Sequence, residues 1–388
     1  MKVKPADRTE TVREYYFSAK LRQIDQMRRS GIDVINLGIG SPDMPPPPEA
    51  VEKLSSEAHK PRVHGYQSYN GVCALRTALA SWYRKYFGVT LDPDSEILPL
   101  IGSKEGIMHI SMAFVNPGDK VLVPDPGYPS YSSVTSLTGG KIMTYDLLEK
   151  NGWLPDFNAL EDSDLAGVKL MWVNYPNMPT GRKASYILFE RLVKFAEEHN
   201  ILVCNDNPYS FILNNEHISI LSVDGAKDIT LELNSLSKSH NMAGWRLGMV
   251  AGHQEYISSV LKVKSNMDSG MFLPIQLAAV EALNRGDDWY KELNDVYLRR
   301  RIIAGEIMEV LNCRFNPEQS GLFLWGNKGE SFRNGEELSD MVLEKAGVFI
   351  TPGFIFGKNG SGYVRISLCA SEDILAKAKE RIEANIKL

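Results

Sequence analysis

The residues best equipped for chemistry lie in Ser-Leu-Ser-Lys-Ser-His-Asn-Met-Ala-Gly-Trp-Arg-Leu-Gly, residues 235–248 of the 388-residue chain. Lys238 follows an apolar run, so its amine could act as a nucleophile beside a protein interior. Ser235, Ser237 and Arg246 could supply hydroxyl and guanidinium donors to a neighbouring phosphate. The plainer reading of a lysine before a Gly-containing loop is a solvated surface residue. Asp206 stands two residues past the apolar run at 201–204. A carboxylate there is costly unless a cation or hydrogen-bond donors meet it, and a protonated pyridine nitrogen would serve. An isolated Asp more commonly caps a turn or helix.

These residues need elements to carry them. Short apolar runs at 97–101, 120–123, 168–174, 201–204, 229–233 and 246–251 read as strands, and 104–115 and 186–199 as helices between them. Such alternation predicts an α/β fold with a mainly parallel sheet sandwiched by helices. Ligands of parallel sheets bind beyond the carboxyl ends of the strands. Polar or aromatic residues stand there in turn: Gly102-Ser103-Lys104, Asp125-Pro126-Gly127-Tyr128, residues 175–181, Asp206 with Tyr209, and Ser235 to Lys238. The Gly-Ser-Lys-Glu-Gly segment opens a helix, so its N–H groups and Ser103 hydroxyl could hold a phosphate, unless Ser103 is only a helix cap. Tyr128 could stack on a flat ring or pack on its own loop. The chain ends differ from the middle. A short strand at 34–37, a Pro-rich loop and a charged helix at 289–311 suggest a smaller α+β domain of residues 1–48 and 288–388, beside a large domain of residues 49–287.

Bulk properties narrow the partners. The net charge of -5 argues against nucleic acid and anionic membrane. No apolar run is long enough to span a bilayer, and the first sixteen residues lack the apolar core of a signal peptide. Cys73, Cys204, Cys313 and Cys369 form no CxxC pair, so neither a zinc site nor a disulfide framework is expected. Reduced, buried thiols in a cytoplasmic protein are expected instead.

With these residues in place, Ser-x-Ser-Lys-x-x-x-Met-x-Gly-x-Arg-x-Gly at 235–248 resembles the lysine motif of the class I/II pyridoxal-phosphate-dependent aminotransferases, in the branch that includes the LL-diaminopimelate, alanine and methionine enzymes. The resemblance runs along most of the chain and implies fold type I. It implies Lys238 as the Schiff-base lysine, Asp206 and Tyr209 as partners of the ring nitrogen and phenolic oxygen, and Tyr128 as the stacking ring. Ser103, Lys104, Ser235, Ser237 and Arg246 would hold the phosphate. Gly40, in Leu-Gly-Ile-Gly-Ser-Pro-Asp, and Arg365, in Tyr-Val-Arg-Ile-Ser, would hold the substrate carboxylate. Tyr66 matches a residue that reaches the phosphate of a neighbouring subunit, which implies a homodimer.

One departure stands out. The family places an asparagine directly before Pro-Thr-Gly, where this chain has Met178. Either Asn177 fills that role through a one-residue shift, or Tyr209 is the only side-chain donor to the phenolic oxygen. Leu261 stands where dicarboxylate-specific relatives carry a second arginine. A neutral or broad-range L-amino acid donor, with 2-oxoglutarate as acceptor, is the expected substrate pair. A β-C–S lyase on the same fold is the nearest rival, and a non-catalytic regulator a more distant one.

Overall fold

The computed structural model describes residues 3–11 and 16–387. Among these residues thirteen strands appear: β1 Ile35–Asn36, β2 Ile97–Leu100, β3 Lys120–Asp125, β4 Lys141–Asp146, β5 Val168–Val173, β6 Leu202–Asp206, β7 Thr230–Ser235, β8 Gly248–Gly252, β9 Arg314–Phe315, β10 Phe323–Asn327, β11 Val348–Phe349, β12 Thr351–Pro352 and β13 Tyr363–Ser367. Seven of them form the central sheet in the order β2-β8-β7-β6-β5-β3-β4. Only β8 runs antiparallel to its neighbours, β2 and β7. The mainly parallel α/β reading therefore holds.

The residues of the inner strands are almost all buried, and they divide by parity. On β5, Met171 and Val173 join one core and Leu170 and Trp172 the core on the other face; Val168, which precedes a register shift against β3, joins Met171 and Val173. This two-sided burial is why the inner strands read as continuous apolar runs rather than alternating ones. The edge strand β4 (Lys-Ile-Met-Thr-Tyr-Asp) is mostly exposed, so it carries no such run and escaped the sequence reading.

The two chain ends meet. β1 pairs in parallel with β11, Ile35 opposite Val348 and Asn36 opposite Phe349. A third core gathers Ile35 and Leu37 with Tyr297, Leu324, Ile350, Ile366 and Ile382. Arg300, on the long helix Asp287–Val310, is 5% exposed and grips Asp43 through both Nη atoms, at 2.6 and 2.9 Å. That pair fixes the loop containing Gly40 against the C-terminal part of the chain. The thiols depart from expectation in one respect: Cys204 and Cys313 are buried, but Cys73 is exposed at the first turn of the helix Cys73–Phe87. Among the described residues, no helix is long and apolar enough to cross a membrane.

The helix Ser103–Phe114 lies tight on the sheet because it has a glycine at the contact. A Cβ on Gly106 would come within 2.5 Å of Leu233 Cδ2 and 2.6 Å of Leu100 Cδ1. Gly106→Val is therefore expected to cost about 1–3 kcal/mol through overpacking. Urea unfolding measures this, and a midpoint equal to that of the unaltered chain would show that the helix is free to shift.

Candidate active site

A cavity of about 450 Å³ opens beyond the carboxyl ends of β3, β5, β6 and β7. Gly40, Ser103, Lys104, Tyr128, Asp206, Tyr209, Ser235, Ser237, Lys238, Arg246 and Arg365 all line it. Positions far apart in the chain thus line one cavity.

The strand ends explain the convergence. Asp206 is the last residue of β6, and Ser235 the last of β7. Ser235 also caps the short helix that carries Lys238: its Oγ accepts from Ser237 N at 3.0 Å and donates toward Ser237 Oγ at 2.8 Å. Lys238 Nζ donates to the Gly40 carbonyl at 2.6 Å. Burial pushes the Lys238 amine below its ordinary pKa; nearby Cys369 opposes this, and Arg365 and Arg246 add to it. A neutral amine is the form that can act as nucleophile or base.

Ser103 is not a helix cap. The cap is Gly102, at φ 87° and without a side-chain hydrogen bond, which leaves the serine as the first helical residue on the cavity wall. A Cβ on Gly102 would fall 2.2 Å from Arg246 Nη2, and one on Gly248 would fall 2.6 Å from Ser103 N. These two glycines let the Arg246 guanidinium and the Ser103 backbone come close at a helix N-terminus, an arrangement that could hold a small anion.

Asp206 is 6% exposed. Its Oδ2 accepts from Tyr131 Oη at 2.9 Å, while Oδ1 is buried with no partner among the described residues. Burial raises its pKa to about 6, with Tyr131 lowering it and Glu232 raising it. A buried acceptor left open in a cavity calls for a donor from a ligand. Behind it, Asn174 donates to the Asp206 carbonyl, and Asn205 Nδ2 donates to the fully buried Glu232 at 2.9 Å. Tyr131 is held flat by Trp172, with ring centroids 5.1 Å apart and planes 5° apart. Tyr209 is buried, which pushes its phenol well above the usual value.

Two expected site residues are elsewhere. Asn177 does not reach the cavity. Its Nδ2 donates to the Asn174 carbonyl at 3.1 Å and its Oδ1 accepts from Thr180 Oγ1 at 2.7 Å, so the amide is consumed in closing its own turn. Met178 and Asn174 line the cavity instead, which removes the one-residue shift. Tyr66 lies outside the cavity and is 92% exposed. Sequence reasoning missed Tyr131, although it follows Tyr128 by three positions, one helical turn, in Pro-Gly-Tyr-Pro-Ser-Tyr. Phe17, Leu21, Ile39, Phe323 and Phe356 also line the cavity and had no local signal.

Comparison with known proteins agrees with this geometry. The model of the family described as aminotransferase class I and II matches residues 32–382. The chain belongs to the class I and II aminotransferases. It is 40% identical over 382 residues to the LL-diaminopimelate aminotransferase of Nitratidesulfovibrio vulgaris, covering 98% of each chain. It is 42% identical to that of Moorella thermoacetica over 370 residues, 95% of each. Among solved structures, substrate-bound BacF from Bacillus subtilis superimposes with a TM-score of 0.93 at 34% identity, covering 99% of this chain and 98% of that one. The cofactor of this aminotransferase is pyridoxal 5′-phosphate, and the residues present fit it: an open buried carboxylate for the ring nitrogen, a glycine-floored anion cradle, and an amine beside them.

The state of Asp206 sets a pH dependence. Its pKa is higher folded than unfolded, so folding is opposed increasingly as pH rises from about 4 to 6. In the cofactor-free aminotransferase, Asp206→Asn is expected to gain stability on the order of 2–3 kcal/mol at pH 7.5 and clearly less at pH 4.5. Urea unfolding at both pH values checks this; equal effects at the two would contradict a buried, proton-retaining carboxylate.

Proposed function

We propose that this aminotransferase moves the amino group of an L-α-amino acid with an uncharged side chain to a 2-oxo acid, with Lys238 as the catalytic amine. The observation that carries the reading is Lys238 lining the same cavity as the open carboxylate of Asp206 and the guanidinium of Arg365. Bound pyridoxal phosphate supplies an electron sink for the charge that develops at the substrate Cα.

The remaining work falls to the chain. Lys238 would bear the cofactor and, once displaced by the incoming amine, take the Cα proton as general base; its depressed pKa suits that task. Asp206, with Tyr131 on its other oxygen, would keep a proton on the ring nitrogen. Tyr209 would donate to the phenolic oxygen. Ser103, Lys104, Ser235, Ser237 and Arg246 would hold the phosphate, and Tyr128 would stack on the ring. Arg365 would take the α-carboxylate, with Gly40 beside it. Phe17, Leu21, Ile39, Phe323 and Phe356 form apolar wall where a side chain would lie, which supports an uncharged donor. The relatives' names favour a second reading, LL-diaminopimelate as donor. We take 2-oxoglutarate as the acceptor to test first.

We further infer two domains, 49–287 and the joined ends 1–48 and 288–388, and a homodimer in which Tyr66 serves the neighbouring phosphate site. Its exposure and its place outside its own cavity support this.

Two experiments test these readings. The holoenzyme is mixed with single amino acids, without 2-oxo acid, and its visible spectrum recorded. Loss of the cofactor's visible band with uncharged donors, and no such band in Lys238→Ala, is the expected result. Selective response to LL-diaminopimelate would move the assignment to that donor; release of ammonia and pyruvate would make the protein a lyase. In light scattering, a mass twice the 43.4 kDa chain is expected, and Tyr66→Phe should weaken cofactor binding about 5-fold. A monomer with unchanged affinity in the variant would remove Tyr66 from the site.

A further inference from the structure

The polar contacts of Arg365 are of unequal strength. Nη2 donates to the Gly38 carbonyl at 2.8 Å, a full-strength acceptor. Nη1 donates to the thioether sulfur of Met178 at 3.4 Å. The ring of Phe323 lies 3.8 Å from the guanidinium carbon, and that of Phe356 lies 4.7 Å from it. Met178 is 6% exposed, lines the same cavity, and has its backbone N–H fixed by Asn174 Oδ1 at 2.7 Å. The sulfur is therefore not a passing neighbour; the turn holds it there.

A thioether is a weak acceptor, whereas a carboxylate facing a guanidinium forms short, charge-assisted bonds. The rings of Phe17, Phe323 and Phe356 pack around the guanidinium, and the Gly38 carbonyl holds one edge of the fork. The edge that points at sulfur meets the weaker of these two acceptors. Exchanging a sulfur for a carboxylate oxygen there loses little and gains much.

We propose that Met178 is a positioning residue: its thioether holds the Nη1 edge of Arg365 in register, with an acceptor weak enough for a substrate carboxylate to displace. This rests on the reading of Arg365 as the carboxylate site. An apolar group of the same size would leave that edge unaligned. A stronger acceptor would compete with the substrate. Affinity for a carboxylate is then highest at intermediate acceptor strength, which a purely space-filling role does not produce.

The test uses the holoenzyme and an unreactive monocarboxylate, 3-methylbutanoate, titrated calorimetrically into the unaltered protein, Met178→Leu, Met178→Gln and Arg365→Leu. Both Met178 variants are expected to bind about 3- to 10-fold more weakly. With a reacting amino donor, each should raise KM by a larger factor than it lowers kcat. Binding by either variant as tight as that of the unaltered protein overturns the proposal, as does a larger effect on kcat than on KM. Arg365→Leu separates the two levels. Undiminished binding there overturns the carboxylate reading itself, while lost binding there with unchanged Met178→Leu overturns only the role of Met178.

Discussion

The site is organised around a carboxylate that the fold buries before any ligand arrives. Asp206 ends a strand whose residues are all buried, and among the described residues only one of its carboxylate oxygens has a partner. Removing a carboxylate from water without full compensation is costly. The surroundings contain that cost without abolishing it. Tyr131, pinned against Trp172, supplies one donor; Asn174 holds the backbone; and the Asn205–Glu232 bond ties the strand to its neighbour. The unmet oxygen is suited to a ligand group that carries a proton.

Much of this was legible in the sequence because buried parallel strands announce themselves as apolar runs, and the residues just past each run are the ones that face the ligand. Asp206, Lys238 and Ser103 were located on that basis, Arg246 by its place in the segment after Lys238, and the motif around Lys238 then carried the relation to aminotransferases. What was not legible depends on other physics. The strand β4 lies at an exposed edge and has no apolar signature. Asn177 and Met178 are adjacent in sequence, and which of them faces the cavity depends on a turn that Asn177 closes with its own side chain. Phe17 and Leu21 reach the cavity from a helix near the start of the chain, which no local pattern could place.

Two kinds of glycine do different work here. Gly102, at positive φ, ends β2 so that a helix can begin facing the cavity. Gly40 and Gly106 have ordinary backbone but no room. A Cβ on Gly40 would lie 2.2 Å from the ring of Phe323, the same ring that packs on Arg365. The substrate side of the cavity is thus braced by aromatic contact against bare backbone, and the phosphate side by backbone approach to a guanidinium.

The antiparallel strand of the central sheet carries a consequence for biosynthesis. Gly248, which opens β8, lies between Leu100 on one side and Ser235 on the other. It therefore joins an early stretch of chain, at Leu100, to two later ones that follow each other closely, at Ser235 and Gly248 itself, and the three come together only once all are in register. A nascent polypeptide has no cradle until the residues of β8 have left the ribosome and inserted between two strands already made. Capture of the cofactor is in this sense a report that the sheet has been completed, rather than an aid to its beginning.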